Sequence, residues 1–237
     1  LKIFFCTINI NFKKKKIKFY INSEMSLVRA VLFGKKEKEV YNFFDKYLNS
    51  DDIFFDIGAN VGVFSIYSSV FKKAKCIAFE PEFSNLYLLK KNVILNNLTK
   101  KIDIYPCSIN DSNGLNFLHL SSFESGAALH SISKSDIQYT DEKSVVVMKT
   151  GTCSLSLDEF VNQTKIIPTM IKIDTDGKEL EILNGAKKTL QHARYIAMEM
   201  PIDSNKDKIC FEILQQNNFE RLKDLEKDRN LFFIKNQ

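Results

Sequence analysis

Hydrophobic positions along the chain fall into short apolar runs separated by stretches of helical spacing. Ile53-Phe54-Phe55 has no polar alternation, as expected of a central parallel strand covered on both faces. Further strands are expected over 74–81, 102–106, 170–174 and 194–200. Between them, helical spacing is read over 37–49, where Val40, Phe43, Phe44, Tyr47 and Leu48 share a face, and over 63–71. Another helix is expected over 84–97, with Ser84 as its N-cap and Leu86, Leu89, Val93 and Ile94 on one side. Shorter helices are expected over 156–161 and 210–216. Strands alternating with helices predict an α/β fold built on a parallel sheet.

Three stretches depart from that alternation. Ile3–Phe5 and Ile17–Ile21 flank the run Lys13–Lys16 and predict an N-terminal β-hairpin. Asn113-Gly114 is a hairpin signal, and 115–120 and 144–149 read as strands of a β insertion after the third sheet strand. The polar stretch 121–143 between them is long for a compact domain and is read as a lid or substrate loop. Near the end, 219–225 and 231–235 predict an antiparallel hairpin at one sheet edge. The expected organisation is an N-terminal hairpin and helix extension over 1–50 and a main domain over 51–237.

Composition narrows this picture slightly. The 237 residues carry 44% hydrophobic positions and twenty phenylalanines, enough for a substantial core. The net charge of +5 is mild, and most lysines are interleaved with acids, as in Lys35-Lys36-Glu37-Lys38-Glu39. The basic clustering is thin and lacks interleaved aromatics, which argues against nucleic acid as a partner. Five cysteines without a C-x-x-C pair argue against a disulfide framework or a zinc site, and a reducing cytoplasmic location fits. Leu1–Ile10 is too short to span a membrane, and its charge follows rather than precedes it, so neither a targeting nor a transmembrane segment is expected.

The chemistry concentrates where strands end. Asp56-Ile57-Gly58-Ala59-Asn60-Val61-Gly62 joins the central strand to a helix, with Gly58 and Gly62 permitting tight backbone paths. Asn60 and Val63 stand where a dinucleotide fingerprint needs glycines, so a pyrophosphate cradle is disfavoured. The pattern D-x-G-x-N-x-G resembles the first motif of class I S-adenosylmethionine (SAM)-dependent methyltransferases, and the resemblance implies that Asp56 faces the cationic amino-acid portion of the cofactor while the loop of Gly58, Asn60 and Gly62 holds its carboxylate. Glu80 ends the second strand about twenty residues past the glycine loop, the spacing at which a βαβ unit delivers a carboxylate to a ribose. Phe83 is a candidate cover for an adenine, and Ser108 and Asn110, after the third strand, are candidates for its edge. Asp174 ends a buried strand beside the central one and is the first candidate for a catalytic base, with His130 second. Asp176, Glu179 and Glu199 are substrate-side candidates, although Asp176 and Glu179 are also spaced as a helix capping box. No metal is assigned; in the alternative, Asp174, Asp176 and Glu199 hold a divalent cation that acidifies the acceptor hydroxyl.

Three separated pieces, Asp56–Gly62, Phe79-Glu80-Pro81 and Lys172-Ile173-Asp174-Thr175-Asp176-Gly177-Lys178-Glu179-Leu180, resemble FkbM-type methyltransferases. Ser125-Gly126-Ala127-Ala128-Leu129 is similar to that family's small-residue segment. Asp176 stands where the family usually has glutamate, which keeps the charge and shortens its reach. The resemblance implies a Rossmann-like methyltransferase sheet, SAM as cofactor, and O-methylation of a hydroxyl on a sugar or other small-molecule acceptor. The alternatives are an RNA-directed methyltransferase and a SAM-binding scaffold without turnover.

Overall fold

The computed structural model of the chain describes residues 6–128, 130–133, 146–200 and 205–236. In chain order it runs β1 (Cys6–Phe12), β2 (Lys15–Ile21), α1 (Glu24–Val31), α2 (Lys38–Tyr47), β3 (Ile53–Ile57) and α3 (Val63–Tyr67). A wide π turn at Ser68–Lys72 prolongs α3 before β4 (Lys75–Phe79), α4 (Phe83–Leu95) and β5 (Ile102–Tyr105). An inserted set follows: β6 (Ser108–Ile109), β7 (Gly114–Leu120), β8 (Ser131–Ser133) and β9 (Met148–Leu155). The chain closes with α5 (Leu157–Thr164), β10 (Met170–Ile173), α6 (Glu179–Asn184), β11 (Tyr195–Glu199), α7 (Asn205–Gln216), β12 (Phe219–Arg221) and β13 (Asn230–Lys235).

The main sheet has the order β12-β13-β11-β10-β3-β4-β5. Its β11, β10, β3, β4 and β5 are parallel, and β13 runs antiparallel to both β11 and β12. This is the expected mostly parallel sheet with an antiparallel C-terminal edge. The insertion forms a second sheet, β6-β9-β7-β8.

Side chains of alternate residues on a strand point to opposite faces, so the main sheet divides its apolar residues between two clusters. Phe54, Cys76, Ala78, Met170, Ala197 and Phe232 belong to one, packed with Ile17 and Phe19 of β2, Phe33, and Phe43 and Phe44 of α2. Phe55, Ile57, Ile77, Phe79, Ile171 and Ile173 belong to the other, with residues of α5, α6 and α7. The N-terminal segment therefore covers one face of the main sheet and contributes to one of the two clusters. Many of the phenylalanines serve it: Phe33 meets Phe12 edge-on at 5.7 Å and lies 5.4 Å from Phe19. Asp56 and Lys172 are in register on neighbouring strands, on the same face as Phe54 and Met170.

Several local expectations are corrected. The expected hairpin pairs β1 with β2, and Ile3–Phe5 lies outside the described residues. Its turn places Lys13 and Lys14 at φ 45° and 62°, the left-handed pair of a type I′ turn, without the usual Asn-Gly signal. Lys13 reaches Asp45 and Tyr67, and Lys15 Nζ donates to Val70 O at 2.7 Å, so part of the basic run is engaged by the fold. Helix α1 was not foreseen. Its capping box between Ser23 and Ser26 is a readable signal, but only Ser26 and Ala30 are buried, so it has no clean apolar face. Glu82, not Ser84, caps α4, accepting from Asn85 N at 2.6 Å. The strand expected over 144–149 begins at Met148 and runs to Leu155, and residues up to 145 lie outside the described set. Asp176 does not cap α6, which starts at Glu179 with no side-chain cap.

Candidate functional site

The site grows from the loop after β3. Gly58 has φ +78°, and a Cβ there would meet the Asp174 carbonyl oxygen at 1.9 Å, so this position admits only glycine. Gly58 N and Ala59 N both donate to Phe79 O, at 3.1 and 3.0 Å, and Asp174 N donates to Ile57 O at 3.1 Å. The loop is thereby pinned between the ends of β4 and β10. Asn60, at φ 50°, donates its backbone N–H to Glu80 Oε2 at 2.7 Å and its Nδ2 to Ala127 O at 2.8 Å. Glu82 N donates to the other Glu80 oxygen at 2.9 Å. Burial pushes the Glu80 carboxyl up to about 7, against the pull of these two amides.

Two adjoining cavities of about 260 and 200 Å³ open along this edge. The first is bordered by Glu80, Ser108, His130, Asp174, Asp176 and Glu199, among others. The second runs between α1 and α3, past Val28, Leu32, Tyr41 and Phe64, to Lys172 and Asp174. Arg29, Lys36, Glu37, Gly58, Asn60 and Asp174 line both, so the two cavities share a wall.

Asp174 sits at their junction. Lys172, 3% exposed, donates to Asp174 Oδ2 at 2.8 Å and lies 4.6 Å from the Phe64 ring centre. Burial works against the Asp174 charge, but the Lys172 ammonium outweighs it and holds the carboxyl below the usual range. Glu199, hydrogen-bonded to Asp174, is pushed up to about 7 by burial and by the Asp174 charge, with Arg229 at 3.4 Å pulling the other way. The pair thus divides its roles: an ionised aspartate beside a glutamate that keeps its proton to near neutrality.

Of the residues expected from the sequence, Gly58, Asn60, Glu80, Ser108, His130, Asp174, Asp176 and Glu199 do line the cavity. The others lie elsewhere. Asp56 is buried under the loop, where one oxygen accepts from Ser65 Oγ at 2.5 Å and the other has no hydrogen-bond partner among the described residues. It compensates Lys172 rather than facing a ligand. Gly62 turns the chain into α3 at φ +87°, and a Cβ there would strike Leu89 at 2.4 Å. Phe83 is 78% exposed and lines neither cavity. Asn110 extends the β6–β9 pairing inside the inserted sheet, its N–H donating to Leu155 O at 3.0 Å. Glu179 closes its own turn, accepting from Gly177 N at 3.1 Å. Among the described residues no three His, Cys, Asp or Glu side chains are grouped as a metal ion would need.

His130 is half-buried, which lowers its pKa and keeps the ring neutral. Its Nδ1 accepts from Ser121 N at 3.3 Å, so the proton sits on Nε2. That tautomer can donate to a ligand but has no free lone pair, which leaves Asp174 as the proton acceptor with lone pairs available. The sequence reading missed Lys172, Arg29, Lys36 and Glu37 as cavity residues. A lysine inside the apolar run Met170–Ile173 was a visible signal for the first; nothing local marked the other three.

Residues 56–230 match the methyltransferase FkbM domain. The hexuronic acid methyltransferase AglP of Haloferax volcanii is 25% identical over 166 residues, covering 69% of this chain and 62% of that protein. The chain thus spans less than two thirds of that relative's length. The solved methyltransferase FkbM from Methylobacillus flagellatus KT aligns with a TM-score of 0.53 at 14% identity, over 79% of this chain and 44% of that one. A putative rRNA-methylase from Clostridium thermocellum aligns at 0.51 with 8% identity, over 84% of this chain and 95% of that one. These structural likenesses establish a Rossmann-like methyltransferase fold. No helix among the described residues is long and apolar enough to cross a membrane. With the matched segment covering most of the chain and both strand-end acids inside it, this chain belongs to the FkbM methyltransferase family.

Proposed function

We propose that the protein transfers a methyl group from SAM to a hydroxyl of a carbohydrate-like acceptor, with hexuronic acids the first class to test. The observation that carries the reading is the first cavity, which Glu80, the Gly58 loop and Asp174 line together. The residues suit the cofactor. Glu80, held by two amides, keeps lone pairs for the two ribose hydroxyls, and Ser108 borders the adenine end. Gly58 lets the loop lie directly against the Asp174 carbonyl, which fixes the loop beside the strand-end acid.

The bound cofactor supplies a methyl group made electrophilic by its sulfonium. The chain's own part is to align the acceptor oxygen, exclude water and receive a proton. Alignment of two bound reactants is worth up to ~7–11 kcal/mol. Asp174 is ionised and lines both cavities, so it can accept the hydroxyl proton as the new C–O bond forms. Glu199, protonated below about pH 7, donates to Asp174 and spreads its charge. His130 can donate Nε2–H to a second acceptor oxygen. Support for a sugar acceptor comes from the hexuronic acid relative.

Calorimetric titration with SAM and S-adenosylhomocysteine tests the cofactor, with Glu80→Ala expected to weaken both by about tenfold to a hundredfold. Labelled-methyl transfer to hexuronate-bearing acceptors then tests the reaction. Asp174→Asn should retain cofactor binding and lose about 10²–10⁴ in kcat. No binding of either ligand by the wild type would sink the proposal.

A further inference from the structure

Arg29, Lys36 and Glu37 lie upstream of the segment that matches the FkbM domain, which starts at Asp56. Even so, all three line both cavities beside Gly58, Asn60 and Asp174. Their placement is built. Arg29 Nε donates to Gly126 O at 3.1 Å, which aims the guanidinium from α1 across the opening. Ser23 Oγ donates to Ser125 O and Asn22 Nδ2 to Ser125 Oγ, so the start of α1 is stitched to the small-residue loop over the site. That loop is tied in turn to Asn60 and Asn85 through Ala127 O.

Glu37 is stranger. It precedes α2 at φ 53° and ψ 47°, a left-handed conformation that costs a non-glycine residue about 1 kcal/mol or more. Glu37 stands at the N-cap position of α2 but makes no capping bond, so its carboxylate is not engaged by the helix. Its side chain is only 16% exposed, pairs with Lys36 Nζ at 3.0 Å, and lies near enough to Lys172 and Tyr41 to shift both. Around this charged trio the second cavity is apolar, walled by Val28, Leu32, Tyr41, Val63 and Phe64.

Two cations and a strained acid at the end of an apolar slot, next to a strand-end aspartate, match a short alkyl chain that ends in an ammonium and a carboxylate. We infer that Arg29, Lys36 and Glu37 form the subsite for the amino-acid head group of the methyl donor, so that the N-terminal segment completes the cofactor site. Arg29 and Lys36 take the carboxylate, Glu37 takes the ammonium, and the apolar walls take the methylenes. The inference rests on the donor reading above, and it makes the N-terminal segment necessary for affinity as well as for the core.

Two probes separate the two claims. S-Adenosylhomocysteine carries the amino-acid head group, and 5′-methylthioadenosine lacks it while keeping the nucleoside and thioether. Titrated into the full chain, Arg29→Met should weaken S-adenosylhomocysteine by about tenfold to a hundredfold and methylthioadenosine by less than about threefold. Glu37→Gln, close to isosteric, should show the same selectivity and carries the test if Arg29→Met fails to fold. Equal weakening of both ligands, or no change in either, would overturn the subsite while leaving the donor reading in place. If the wild type binds neither probe, the donor reading fails and takes the subsite with it.

Discussion

Glu80 and Asp174 occupy equivalent places on either side of β3. Each is the first residue past its strand, β4 or β10, and each lines the cavity. Their charges nevertheless run in opposite directions. Glu80 is pushed up to about 7 by burial, whereas Asp174 is held below the usual carboxylate range. The cause lies two residues back on the same face. Asp56 on β3 is in register with Ala78 on β4 and with Lys172 on β10. A methyl group stands behind one acid and an ammonium behind the other. The charge state of a strand-end acid thus depends on its neighbourhood across the sheet, and the Lys172 ammonium is the largest influence favouring the Asp174 charge.

Removing the ammonium should break the comparison most severely. Lys172→Met leaves Asp56 and Asp174 buried without their shared cation, and losing one partner of a buried pair costs about 3–5 kcal/mol. Urea unfolding measures it, and a loss under about 1 kcal/mol would show that the lysine does not control the pair.

The two acids should also bend the pH dependence of stability in opposite senses. The Glu80 pKa is higher folded than unfolded, so between about pH 4.5 and about pH 7 the folded chain binds protons that the unfolded chain releases. Stability therefore falls as pH rises through that window, by about 3 kcal/mol from Glu80 alone. Glu199 adds a slope of the same sign. Asp174, with its lowered pKa, gives stability that is present above the ordinary aspartate range and is lost as pH falls through its folded value. Glu80→Gln should flatten the fall between about pH 4.5 and 7 and leave the acid limb untouched, as read by denaturant midpoints across pH. An unchanged profile would mean that Glu80 is not held protonated.

The smallest effect belongs to Phe83, three residues past Glu80 but facing solvent. Phe83→Ala should change unfolding free energy by less than about 0.5 kcal/mol and cofactor affinity by less than about twofold. A large loss of affinity would return this ring to the adenine site.

The polar layout of the site was partly legible because it is local. Gly58, Asn60 and Glu80 were found from a spacing that a single βαβ unit imposes, and all three line the cavity. Asp56 and Gly62 belong to the same motif but serve the loop from beneath, one beside Lys172 and one against Leu89. Spacing does not say on which side of a loop a residue falls. Phe83 misled for the opposite reason: an aromatic near a ribose acid looks like a ligand cover, but α4 begins at that residue and turns it outward.

The apolar rhythm of the chain determined the layered α/β fold, the order of its main elements and the two acids at the sheet edge. Those features follow from strand and helix periods, which each segment carries within itself. Tertiary structure alone decided that Asp174 is charged and Glu80 is poised near neutrality, and that residues 29–37 reach the cavity. Burial, register and electrostatic fields are sums over neighbours distant in sequence, as when Lys172 meets Asp56 across β10 and β3, and no local pattern contains them.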